Sequence, residues 1–339
     1  MINAEKSFFL FGMGDREKYI YRNCSLIRYK DNKILYAWNN CKEEFLYDEY
    51  TVVLTRGDGE KTVLKETEDG FYIDDKCICA SKINLPSFEE YKYPKQLRIL
   101  HHEVLINIID EKPVPNYFVY DKPWYRDSAM MGMVLKATDN LHLIKDWVMS
   151  ITELYDKNNA GNCEPDNLGQ LLYLISLVSD KSHPMVYKAI EEAKRIAENG
   201  LLTGLTDFNN HQIYSTLWMI LAMKELGIEN DFLSVPQEFD SYARMFWMDR
   251  EGIERETPFE NNYDSLYPYL WWAVKHFENE PIDEEFLKIT YPMSWEQEAS
   301  QAKYEGIRQL SQIYADNKFS APHTWHASEM FLYLIEMEK

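Results

Sequence analysis

No stretch of the 339 residues reaches the roughly 18 consecutive apolar positions that a membrane-spanning helix needs, so a membrane partner is not expected. Positive charge is scarce as well. Lys and Arg number 36 against 56 Asp and Glu, and the formal charge of −20 repels phosphate backbones and anionic lipid surfaces, which argues against nucleic acid as a partner. Cysteine is sparse: Cys24, Cys41, Cys77, Cys79 and Cys163 are scattered, with one C-x-C pair and none of the C-x-x-C spacing of zinc or redox sites. Free thiols in a reducing cytoplasm are therefore expected. The opening MINAEKSFFLFGMGDREK has one short apolar run, an acidic residue on either side and no small-residue cleavage site, so it does not read as a signal peptide.

What the chain has in quantity is aromatic surface. Aromatics are 14% of residues, with 24 Tyr and 9 Trp, and flat ring faces are what sugar rings stack on. The apolar fraction of 45% is enough for a sizeable core. Residues 1–95 carry segments such as EKYIYRNCSLIRY, NKILYAWNN, YTVVLTRGDGEKTVLKET and GFYIDDKCICASK, rich in Tyr, Val, Ile and Thr and punctuated by hairpin signals. This predicts a small antiparallel β region. Residues 96–339 have helical periodicity and form a second unit.

The helical part repeats one phrase. A helix over about 97–109 leads through an aromatic loop to one over about 127–139, followed by one over about 141–156. Then long polar loops (DKNNAGNCEPDN, LLTGLTDFNNHQ, ERETPFENNYDS) alternate with very apolar helices (LGQLLYLISLV, IYSTLWMILAMKEL, LYPYLWWAVKHF), and amphipathic helices such as MVYKAIEEAKRIAENG follow on short links. A helix apolar all round must be enclosed by others, and a one-faced helix can lie outside. The alternation predicts a mainly α fold, an (α/α)6 toroid of two concentric rings with one hairpin degenerate; an irregular bundle or a solenoid is the alternative.

In a toroid the polar residues before each apolar helix converge on one mouth. They are Trp124, Arg126 and Asp127; Glu164, Asp166, Asn167 and Gln170; Asp207 and His211; Asp264; Trp295 and Glu296; and His323, Trp325, His326 and Glu329. Carboxylates, amides, imidazoles and aromatics together suit a site that binds and cleaves sugars. Each acid also has a plainer role: Asp127 and Asp166 as helix caps, Glu296 as a residue favouring a helix start. His323, His326 and Glu329 share one helical face but lack a further well-spaced ligand, so no metal and no other cofactor is expected. His101 and His102 are expected to be structural, and Trp147, Trp218, Trp271 and Trp272 to serve core packing.

The segments WYRDSAMM, EPDNLGQLLYL and PHTWHASEMFL resemble the six-hairpin glycosidase superfamily, which includes glucoamylases and unsaturated uronyl hydrolases. The resemblance covers about residues 96–337. It implies a glycoside hydrolase acting on a small oligosaccharide or unsaturated disaccharide, with Asp166, Asp127, Glu164 and Glu296 as candidate catalytic carboxylates. The remaining mouth residues would bind substrate. The loop before the sixth helix offers Asp207 where glucoamylases take a glutamate. Two other functions stay open: a sugar epimerase of the acylglucosamine-epimerase type, working through His211, His323 and His326, and a non-catalytic carbohydrate-binding protein. The sequence is silent on oligomeric state.

Overall fold

The computed structural model describes residues 7–120, 122–235, 289–295 and 304–336. Phe8–Phe11 (β1), Tyr19–Arg22 (β2), Ser25–Arg28 (β3) and Lys33–Ala37 (β4) form an antiparallel meander; Cys41–Leu46 (β5), Thr51–Arg56 (β6), Lys61–Thr67 (β7), Gly70–Ile73 (β8) and Lys76–Ala80 (β9) form a second. Tight turns set the register. Asn23 and Cys24 both sit at positive φ between the paired residues Arg22 and Ser25, the two-residue geometry whose twist matches that of the flanking strands. All four residues of β1 are buried: Phe11 stacks on Phe71 of β8, and Phe9 stacks on His102 of the first helix.

That helix, Pro94–Leu105 (α1), starts with a proline at a position that needs no N–H donor. Tyr125–Ala137 (α2), Lys145–Met149 (α3), Asp166–Val178 (α4), Pro184–Ile196 (α5), Gln212–Glu225 (α6), Tyr304–Arg308 (α7), Gln312–Asp316 (α8) and Thr324–Glu336 (α9) follow. Two-residue ribbons, Ile108–Ile109 (β10) with Lys112–Pro113 (β11) and Ala197–Glu198 (β12) with Leu201–Leu202 (β13), close the turns after α1 and α5. Helix α9 packs between α1 and α2, α2 against α4, and α4 against α6, with α5 on α4. Strands and helices share one buried core running from Phe8 to Leu334.

This corrects two expectations. The fold is not a mainly α toroid: among the described residues helix accounts for 37% and strand for 21%, with thirteen strands in four antiparallel sheets beside nine α-helices. Helix α1 shows the physical reason. It is buried along most of its length, yet part of its cover is β1 rather than another helix. Burial all round shows that a helix is enclosed and leaves the enclosing element open. The helix expected over 141–156 is also shorter than its periodicity suggests, a single 3₁₀ turn at Leu141–Leu143 and the five residues of α3. The segments ERETPFENNYDS and LYPYLWWAVKHF, with Trp271 and Trp272, lie outside the described residues.

The cysteine expectation changes as well. Cys24 and Cys41 form a disulfide with their Cα atoms 6.6 Å apart, while Cys77, Cys79 and Cys163 are free.

Helices α4 and α6 approach so closely that a Cβ on Gly169 would collide with the backbone of Trp218 and Met219. Backbone cannot rotate aside as a side chain does. Gly169→Ala is therefore expected to lower unfolding free energy by about 1–3 kcal/mol in a urea titration, despite the higher helix propensity of alanine. An unchanged or raised midpoint would refute this close packing.

Candidate functional site

The start of α2 brings Arg126 into the protein at 7% exposure, and three carboxylates gather around its guanidinium. Nε donates to Asp166 Oδ2 at 2.9 Å and Nη2 to Glu164 Oε2 at 3.1 Å, while Nη1 lies 3.9 Å from Asp207 Oδ1. Its centre sits 5.8 Å from the Trp325 ring, within cation–π range. Burial works against the charge of Arg126, but Asp166 and Glu164 outweigh it and hold the guanidinium ionised, well above its ordinary range.

The carboxylates differ in setting. Asp166 is fully buried, and besides Arg126 it accepts Gln170 Nε2 at 2.8 Å and Thr206 Oγ1 at 3.4 Å. It belongs to a packed polar knot. Glu164 accepts Asn159 Nδ2 at 2.9 Å and the backbone N–H of Asp207, and burial pushes its carboxyl above the usual range against the pull of Arg126. Asp207 occupies a left-handed backbone position, φ 50°, and its carboxylate is the solvent-open member of the group. The acids thus range from fully buried to exposed around one cation, and a deeply placed carboxyl that resists ionisation is suited to donate a proton.

The other expected residues fall into two sets. Asn167 accepts the Asp156 N–H at 3.2 Å and donates to Gln170 at 3.4 Å, and Gln170 reaches Tyr214 Oη at 3.4 Å. Asp127, one residue past Arg126, accepts Thr324 Oγ1 at 3.4 Å and so ties α2 to the start of α9. There His323 and His326 have ring centres 5.0 Å apart, and His326 Nδ1 is 4.0 Å from Glu329. Trp124 meets Tyr120 edge-on at 5.3 Å, and Tyr120 meets His323 at 6.2 Å. The starts of α2, α4 and α9 are thereby brought together. His211 stands at the N-cap of α6, and Trp295 packs on Phe319 at 4.5 Å. Glu296 and Asp264 lie outside the described residues.

Five participants lack a signal of the kind that marks Arg126 or Asp166. Asn159 and Asp156 sit in the polar loop before α4, Thr206 in the loop before α6, Tyr214 inside an apolar run, and Glu103 inside α1. Buried Glu103 accepts the N–H groups of Met293 at 2.6 Å and Ser294 at 3.0 Å, and Ser294 Oγ accepts the His323 N–H at 3.0 Å. Burial pushes the Glu103 carboxyl up to about 7. It anchors the turn that sets His323 without touching the cluster. Among the described residues no group of three His, Cys, Asp or Glu side chains is arranged to hold a metal ion, and no helix is long and apolar enough to cross a membrane. Comparison with known protein families, with curated protein sequences and with solved structures finds no match, and the membership in the six-hairpin glycosidases expected from three short motifs is withdrawn.

Proposed function

We propose that the chain is an enzyme of carbohydrate metabolism that hydrolyses a glycosidic bond in a small oligosaccharide or unsaturated disaccharide at the Arg126 cluster. The observation that carries this reading is one buried guanidinium holding Glu164 and Asp166, with Asp207 close by, beneath Trp325, with the Glu164 carboxyl kept above its usual range by burial. Glu164 is the general acid, protonating the glycosidic oxygen, and Asp127 the base that activates water. Asp166, with its oxygens committed to Arg126, Gln170 and Thr206, orients the guanidinium instead of exchanging protons with substrate. Trp124, Trp325 and Tyr214 offer the stacking faces.

Glu164→Gln and Asp127→Asn should each lower kcat on the cleaved glycoside by about 10²- to 10⁴-fold, the range for loss of a positioned acid or base, measured at a temperature where circular dichroism shows both variants folded. Finding the substrate calls for a panel of aryl glycosides and short oligosaccharides. If both variants turn over at the wild-type rate, the assignment fails.

The neighbouring histidines favour a second reading. His323 and His326, with Glu329 beside His326, suit proton transfer next to a carbonyl, as in a sugar epimerase. Deuterium from solvent appearing in a free sugar, with no bond cleaved, would select that reaction, and binding without turnover would select a carbohydrate-binding protein. The proposed location is the cytoplasm, on the free thiols of Cys77, Cys79 and Cys163; the Cys24–Cys41 disulfide counts against it. Thiol alkylation of protein taken from its native cells distinguishes the two.

A further inference from the structure

The segment entering α2 is a wall with two sides. Trp124 is extended, φ −107° and ψ 132°, so successive side chains leave the chain in alternate directions. Trp124 turns toward Tyr120, while its neighbours Pro123 and Tyr125 line a separate open cleft of about 380 Å³. The partners of Arg126 in hydrogen bonds, ion pairs and its cation–π contact lie outside this cleft, and Asp156 in the lining feels Arg126 through charge alone.

We propose that the cleft is a second ligand site, for a small sugar carrying a carboxylate or a phosphate. Its aromatic surface is fixed in place. Tyr125 donates its hydroxyl to the Glu153 carbonyl at 2.9 Å, Tyr155 donates to Glu192 Oε1 at 2.8 Å, and Trp147 stands half-buried beside them. Rings held this way stack on the C–H face of a sugar with little entropy to lose.

The charge comes from Lys112 and Lys122, both exposed in the lining, neither of which makes an ion pair among the described residues. The acids opposite them are less available. Both oxygens of Asp156 are engaged by backbone donors, Tyr125 N–H at 2.7 Å and Asn158 N–H at 2.9 Å, which leaves Glu153. In a chain of net charge −20, two uncommitted ammonium groups over an aromatic floor select an anion against the general field of the protein. The site does not depend on hydrolysis at the Arg126 cluster.

Calorimetric titration of the full chain with glucuronate, glucose 6-phosphate and neutral methyl glucoside tests it. Wild type should bind at least one of the anions at least about tenfold more tightly than methyl glucoside, and the anion bound tells whether carboxylate or phosphate is preferred. The double variant Lys112→Glu, Lys122→Glu, with both positions at the surface, should weaken that binding by about tenfold or more, while Glu164→Gln leaves it unchanged. No binding of either anion, equal affinity for methyl glucoside, or undiminished binding by the double variant would overturn the proposal. Anion binding that changes in either direction in Glu164→Gln would also overturn it, by moving the anion to the Arg126 cluster, where loss of a competing carboxylate is felt directly.

Discussion

Arg126→Gln is expected to cost about 3–5 kcal/mol of unfolding free energy, the range for removing one partner of a buried ion pair. The cause is what stays behind. Asp166 is 0% exposed, and Gln170 and Thr206 satisfy its oxygens only in part once the guanidinium is gone. Glu164 loses its cation while keeping Asn159 and the Asp207 N–H. A carboxylate left without its counter-charge in low dielectric takes up a proton, so the loss should grow as pH rises and shrink in acid. Arg126→Lys should recover only part of it, because a single ammonium cannot repeat the fork that reaches Asp166 through Nε and Glu164 through Nη2. Urea titrations of both variants at several pH values measure this. A loss below about 1 kcal/mol, the scale of an exposed pair, would mean that the cluster is hydrated and contributes little to folding.

How much of this cluster the sequence showed depends on where each residue sits. Arg126, Glu164, Asp166 and Gln170 were legible because polar residues just before an apolar helical run stand out by composition, and helix starts concentrate such groups. Their convergence is real, since Arg126 spans the starts of α2 and α4. Asp156 and Thr206 were not legible as participants. Their roles depend on how irregular loops fold, and a loop carries no periodicity from which a direction can be read. Glu103 lies on a helix with a readable pattern, but its partners Met293 and Ser294 are 190 and 191 residues away, a pairing that only the tertiary fold creates.

The fold was legible in its pieces and misread in its assembly. Strands β2, β3, β4 and β6 to β9 fall in the segments expected to be extended, because Tyr, Val, Ile and Thr runs bounded by tight-turn residues are a local signal. Long apolar runs likewise gave α4 and α6. Over 141–156, helical spacing of Leu141, Leu143, Ile144, Trp147 and Val148 was mistaken for a long helix. Ser150 turns its hydroxyl back onto the Trp147 carbonyl at 2.7 Å, and the chain leaves the helix to carry Asp156 across to α2 and Tyr155 to α5. The ring count came from rhythm alone, and rhythm does not say which surface encloses an apolar helix.

Acid should destabilise this protein along a profile to which His101, His102 and Glu103, three consecutive residues of α1, contribute a bend near pH 4.5. Both histidines are fully buried, and burial lowers each to about 3, with the neighbouring imidazole adding to the effect on His101. His102 Nε2 lies 2.9 Å from the Leu10 carbonyl, a contact that satisfies the ring in its neutral form. A base lowered in the folded state contributes stability present above its unfolded value of about 6.5 and lost as pH falls, at about 1.4 kcal/mol per pH unit for each histidine. Glu103 acts in the opposite sense. Its carboxyl is raised to about 7, so the fold prefers it protonated, and acidification from 7 to about 4.5 returns about 3 kcal/mol. Between pH 6.5 and 4.5 one group therefore offsets one histidine, and stability should decline at only about 1.4 kcal/mol per unit; below 4.5 the histidines act alone and the slope should double. Other carboxylates add to both profiles, but they cancel when wild type is compared with His101→Gln, His102→Gln, which cannot titrate at these positions. That difference should open at about 2.7 kcal/mol per pH unit below 6.5 in a series of urea titrations. Parallel profiles for the two proteins would show that the histidines are solvated or already charged in the fold, and that α1 is not sealed against β1 as described.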